Sequence, residues 1–176
     1  MRILAVIIAI ALIAFFGLSY VAGIFDKADV TLRDAGPYNL IYREHKGPYK
    51  GVRFVRYDMF RFLKEKRSIV PQKGFAIFYD NPRKKNPGGL RSVAGYITDS
   101  LLSGVPAPYV TEVFPKTASI VGTFPLRSFM SPMTGPMKFY PEMLMLLSRQ
   151  KREAAGPVME IYDVPARKIM YIAPLK

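Results

Sequence analysis

Ile3 to Phe25 is a run of 23 residues without a single charge. Wound as an α-helix it would reach about 34 Å, enough to cross the hydrocarbon core of a bilayer. In lipid each backbone amide must bond within its own segment, so a crossing run of this kind is helical. Tyr20 falls near its end, where an interfacial aromatic is expected. Residues 1–25 are therefore expected to be a single transmembrane anchor. Two other readings remain. Val21-Ala22-Gly23 would serve as a small-residue cleavage site, although the apolar run is long for a signal peptide. The other is a buried helix of a soluble protein. Arg2 and the α-amino group before the run favour an inside N-terminus and an extracytoplasmic domain. Lys27, Arg33, Arg43 and Lys46 after it pull the other way.

Beyond the run, 26–36 is short and polar and reads as a tether, and 37–176 is long enough for one domain. The chain has no Cys and one His, which argues against disulfides, thiolate metal sites, a Cys nucleophile and a His-paired triad. No metal or cofactor is expected. The net charge of +13 favours anionic surroundings.

The patterning of 37–176 yields two similar units. Tyr38–Tyr42 reads as a strand. Tyr49–Lys66 follows as a helix, with Val52, Val55, Met59, Phe62 and Leu63 on one stripe. Phe75–Tyr79 and Ser92–Thr98 are strands around a basic Pro/Gly turn. After a linker over 101–108, Tyr109–Phe114 and Ala118–Phe124 read as strands, 131–136 as a loop, and Pro136–Arg152 as a helix. Val158–Tyr162 and Ile169–Ile172 close the chain. Both halves thus read β-α-β-β. At an offset of 83, Phe75-Ala76-Ile77-Phe78-Tyr79-Asp80 aligns with Val158-Met159-Glu160-Ile161-Tyr162-Asp163, each followed by x-Pro. Glu160 stands where Ile77 stands in the first copy. Neither unit can bury a sheet face alone, so the two are expected to pair in one α+β domain.

Gly-Pro-Tyr before the first helix, Phe-Ala-Ile-Phe-Tyr-Asp-Asn-Pro, Pro-Val-Met-Glu-Ile-Tyr and the closing Tyr-Ile-Ala-Pro-Leu together resemble the GyrI-like small-molecule-binding domain. That family includes effector-binding modules of multidrug-responsive regulators and gyrase-inhibitor proteins. The resemblance spans about Pro37 to Leu175. It implies two β-α-β-β units about a pseudo-twofold axis, a ligand cleft between them, and a late-strand glutamate that meets cationic aromatic ligands. Glu160 is the matching position.

Glu160 shares a strand face with Val158 and Tyr162. The repeat places Phe75, Ile77 and Tyr79 on the equivalent face. A carboxylate among such groups would have a raised pKa and suit a cationic ligand, with the Tyr rings adding cation–π attraction. The competing readings are a solvated Glu160 or one paired with Arg167. The expected ligand-binding set is Glu160, Tyr162, Tyr79, Ile77, Tyr109 and Tyr140. Five of the nine Met lie between Met130 and Met145, which suits an adaptable surface, core filling or a bilayer contact. From Arg43 to Lys85 there are 13 Lys or Arg and four Asp or Glu. This basic face suits anionic headgroups; without a recognition motif, nucleic acid is not expected as a partner. His45 reads as a surface residue.

The expectation is a single-pass membrane protein whose domain binds an amphipathic, cationic or aromatic small molecule without turnover. A hydrolase using Glu160 to activate water is the alternative, as is a lipid- or protein-interaction module acting through the basic face.

Overall fold

The computed structural model describes residues 2–176. Helix α1 (Arg2–Val21) coincides with the uncharged run, and of its residues only Ser19 is buried. It is long and apolar enough to cross a membrane. The stretch 26–36, expected to be a tether, instead contains strand β1 (Asp29–Ala35), paired along its length with a later strand. Its exposed edge position leaves few apolar residues, which is why the strand pattern is faint there.

Strand β2 (Tyr38–Lys46) leads through one 3-10 turn into α2 (Val52–Arg67), whose buried residues are Val52, Val55, Met59 and Leu63. Strands β3 (Lys73–Phe78) and β4 (Arg91–Thr98) follow, then β5 (Val110–Phe114) and β6 (Thr117–Pro125). Helix α3 spans Ser131–Gln150, and β7 (Met159–Asp163) and β8 (Lys168–Pro174) complete the chain. The expected 131–136 loop is thus the first turns of α3, despite Pro136 and Pro141 within the helix. Pro132 lies in the first turn, where the amides have no intrahelical partner and a Pro costs little, whereas Pro136 and Pro141 each remove an amide from the helical ladder further in. Ser131 Oγ also fixes the entry, accepting hydrogen bonds from the amides of Arg127 (3.0 Å) and Ser128 (3.2 Å).

All eight strands form one antiparallel sheet in the order β1-β6-β8-β7-β3-β4-β2-β5, curled into a half-barrel. Strands β1 and β2 are joined by two residues yet lie near opposite ends of that order, as do β5 and β6. The curl brings the two connections into contact. Gly36 has φ +89°, and a Cβ there would come within 2.7 Å of the Pro115 carbonyl oxygen, so glycine is required. Mid-sheet, a Cβ on Gly95 would overlap the Ile41 carbonyl oxygen on β2, so glycine is what lets β4 run this close to β2.

One sheet face lines the interior of the curl, with Leu40, Phe75, Val93, Val121, Met159, Ile161 and Ile172 in one buried cluster. The other carries the helices. Val52 and Val55 of α2 pack on Ala76 and Ala94. Phe139 and Met143 of α3 pack on Ile120, Phe124, Ile169 and Tyr171. The small residues at 76 and 94 let α2 lie close, and the bare Cα of Gly122 does the same beneath the Phe139 ring.

Candidate functional site

Two registers set the site. Across β3 and β7 Ala76 faces Glu160, and across β7 and β8 Glu160 faces Tyr171. Directly opposed residues of an antiparallel pair share a face. The row Ala76–Glu160–Tyr171 therefore lies on the helix-bearing face. Helix α2 packs over β2 and β4, and α3 over β1, β6 and β8. Glu160, on β7, sits in the seam between them.

Glu160 is 6% exposed. Its carboxylate accepts a 2.6 Å hydrogen bond from the Tyr162 hydroxyl. Among the described residues no cationic group lies within ion-pair distance of it. Arg167, the partner considered from sequence, lies instead beside Tyr20 and Arg127. Burial pushes the Glu160 carboxyl up to about 7, opposed by the Tyr162 hydrogen bond and the charge of Arg56. Burial and the neighbouring carboxylate push the Tyr162 hydroxyl well above its ordinary value. Tyr140 of α3 is raised to about 12 by burial and then by the charge of Glu160.

Two further residues belong to this cluster. Arg56 of α2 places its guanidinium 4.7 Å from the centre of the Tyr162 ring. It lies off the apolar stripe of α2, where a base is ordinary in sequence; a strand face has to be paired with α2 before its target is visible. Tyr171 is fully buried, stacks on Phe139 at 4.8 Å, and has a hydroxyl with no hydrogen-bond partner among the described residues. The absent side chain of Gly135 leaves room for that hydroxyl. A cavity of about 300 Å³ opens beside the cluster, lined by Arg56, Phe60, Gln72, Gly74, Tyr96 and Tyr162 among others. Tyr162 stands between this cavity and the Glu160 carboxylate.

The structure separates the rest of the expected set. Ile77 pairs with Met159 and packs in the interior cluster, on the sheet face opposite Glu160. Tyr79 follows Ile77 on that side and borders a separate cavity of about 620 Å³ with Glu44, His45 and Arg91. The offset of 83 pairs Ile77 with Glu160, but a one-residue difference in register moves a side chain to the other face. Tyr109 packs against Phe62, with tilted rings 4.5 Å apart, in the cluster around Ile41, Met59 and Leu63, apart from Glu160. Of the six expected residues, Glu160, Tyr162 and Tyr140 come together. His45 contacts the Pro48 carbonyl oxygen at 3.1 Å within a turn. Among the described residues no group of three or more His, Cys, Asp or Glu is placed to hold a metal.

Solved structures share this fold. The EcmrR C-terminal domain superposes with a TM-score of 0.62 at 8% identity, covering 85% of this chain and 98% of that one. EcmrR in its DNA complex gives 0.58 at 9% identity, over 99% of this chain and 69% of that one. A hydrolase from Listeria innocua gives 0.55 at 9% identity, over 85% and 92%. At such identities the likeness is one of fold. No protein-family model matches the chain, and no curated protein does.

Proposed function

We propose that this chain is a membrane-anchored, GyrI-like small-molecule-binding domain. Its ligand is amphipathic and cationic or aromatic, and enters the seam between α2 and α3. The observation that carries this reading is Glu160: a buried carboxylate whose hydrogen-bond donor is a neutral phenol, beside a cavity with aromatic walls. A buried charge of this kind is costly unless a partner compensates it. A ligand cation that displaces Tyr162 or slides beside it would supply that compensation. The fold shared with the EcmrR C-terminal domain supports the family reading.

The domain is read as two β-α-β-β units, β2-α2-β3-β4 and β6-α3-β7-β8, related by a pseudo-twofold axis through the β3–β7 pair. The strand order supports this, since β4 and β2 follow β3 on one side as β8 and β6 follow β7 on the other. Helix α1 is read as the anchor because its apolar side chains are exposed on the protein.

The test is titration of the full chain in detergent with a cationic aromatic dye. Wild type should bind it, and Glu160→Gln should bind it markedly more weakly while keeping its fold by circular dichroism. Equal binding by the two would refute the role of the charge.

Hydrolysis is the second reading. A carboxyl near pKa 7 is suited to general-base work. The shared fold of the Listeria innocua hydrolase keeps it in view. Turnover of an electrophilic substrate, lost in Glu160→Gln, would favour it over binding alone.

A further inference from the structure

The outward side of α3 is apolar where a solvated helix would be polar. Met133 is 67% exposed, Met137 74% and Leu144 59%, and Phe129 just ahead of the helix is 88% exposed. Positions 133, 137 and 144 recur at helical spacing on one side. The solvent side of α2 is mixed, with exposed Phe54 and Tyr57 set among Arg53, Arg61, Lys64 and Glu65. Such a stripe on a water-facing helix calls for something to cover it.

The place of the stripe indicates what that is. The start of α3 is fastened to the end of α1. Thr134 Oγ1 donates a hydrogen bond to the Ala22 carbonyl oxygen at 2.9 Å. Arg127 grips Asp26 through two bonds, at 2.7 and 3.0 Å, and its guanidinium lies 5.0 Å from the centre of the Tyr20 ring. Contacts among Thr134, Ala22, Arg127, Asp26 and Tyr20 thus fix where α1 ends relative to α3. Any bilayer crossed by α1 ends near Tyr20, at the end of α1 that is tied to Arg127 and Thr134, the chain neighbours of this stripe.

We propose that Phe129, Met133 and Met137 seat in the interfacial layer of the same bilayer that α1 crosses, with Arg127 at headgroup level. This rests on reading α1 as a membrane anchor. Aromatic and flexible apolar side chains favour that layer, and an arginine beside them meets phosphate. The apolar surface of α1 then continues onto α3, so the domain lies against the membrane instead of swinging on a flexible stalk.

The chain has no Trp, so one introduced indole reports alone. Met133→Trp and Met137→Trp would be reconstituted as full chains in phosphatidylcholine/phosphatidylglycerol vesicles. These would carry a fraction of phosphatidylcholine brominated near the top of its acyl chains. Tyr57→Trp, on the outward side of α2, is the reference. Emission from both α3 positions should be blue-shifted and quenched several-fold more than the reference. Equal quenching at all three positions, in protein that resists alkaline extraction from the vesicles, would overturn the α3 contact and leave the anchor standing. Protein stripped off by alkaline extraction would overturn the anchor and the contact together.

Discussion

Tyr162 donates a 2.6 Å hydrogen bond to Glu160 from two residues further along the same strand. The pair is local in sequence, yet its energetics are set by distant parts of the chain. Ala76 leaves space on one side of the carboxylate, Tyr171 walls the other, and Arg56 covers the phenol. Together they hold the carboxyl where neither water nor a salt bridge stabilises its charge.

Glu160→Gln is expected to alter the pH dependence of stability. The folded carboxyl titrates near 7, against 4.5 as its ordinary value. Between those values the folded state holds a proton that the unfolded state has lost. The wild type is therefore favoured at low pH and loses stability as pH rises from about 4.5 through 7. The loss is on the order of 3 kcal/mol once complete. Thermal unfolding should show the variant matching wild type near pH 4.5 and exceeding it at pH 8. A constant gap between the two proteins would contradict the assignment.

Arg56→Met should strengthen binding of a cationic aromatic dye. The guanidinium occupies the Tyr162 face that such a ligand would use, a contact worth about 0.5–2 kcal/mol. Removing it should raise affinity several-fold in a fluorescence titration at pH 8. Weaker binding would instead show that Arg56 contacts the ligand favourably.

Gly95→Ala should destabilise the domain by about 3 kcal/mol, measured by chemical denaturation. Its Cβ would overlap backbone of β2, which cannot move aside as a flexible side chain can. Gly156→Ala, with open space around the added carbon, should be close to neutral.

Asp80 ties the β3–β4 turn together. Its carboxylate accepts from the Arg91 amide at 2.7 Å, from the Arg91 guanidinium at 3.0 and 3.1 Å, and from Lys85 at 2.9 Å. These bonds, led by those from Arg91 and Lys85, hold it well below the usual carboxylate range. The stabilisation is present above the ordinary carboxylate pKa and is lost as pH falls through the depressed one. Asp80→Asn should therefore be less stable than wild type at pH 7, with the difference shrinking in acid. An unchanged gap in melting temperature down the acid range would count against it.

Much of this fold is visible in local pattern. The stripe of Val52, Val55, Met59 and Leu63 names the buried side of α2, and the runs around Phe75, Ser92, Ala118 and Ile169 name four strands. What local pattern does not carry is which strands meet. Register between β3 and β7 is a tertiary fact, so the repeat suggests Ile77 beside Glu160 where the sheet places Ala76. Strand β1 gains its identity from pairing with β6, where Thr31 faces Val121 some 90 positions on, and its own residues look like a linker. Glu160 stands out in sequence because an acid interrupts an apolar strand. Arg56 does not, because a base on a charged helix is ordinary until Tyr162 is found beneath it.

The sheet order has a consequence for how the chain can be divided. Strand β1 precedes the first β-α-β-β unit but pairs with β6 of the second, and β5 precedes the second unit but pairs with β2 of the first. Each half lends the other its outermost strand, an exchange carried out inside one molecule. Cleavage in the loop at Gly104 would leave two pieces, each with a strand whose hydrogen-bonding partner is on the other piece. They would be fragments fit for complementation, with the paired sheet returning only on reassembly, and not two separable domains.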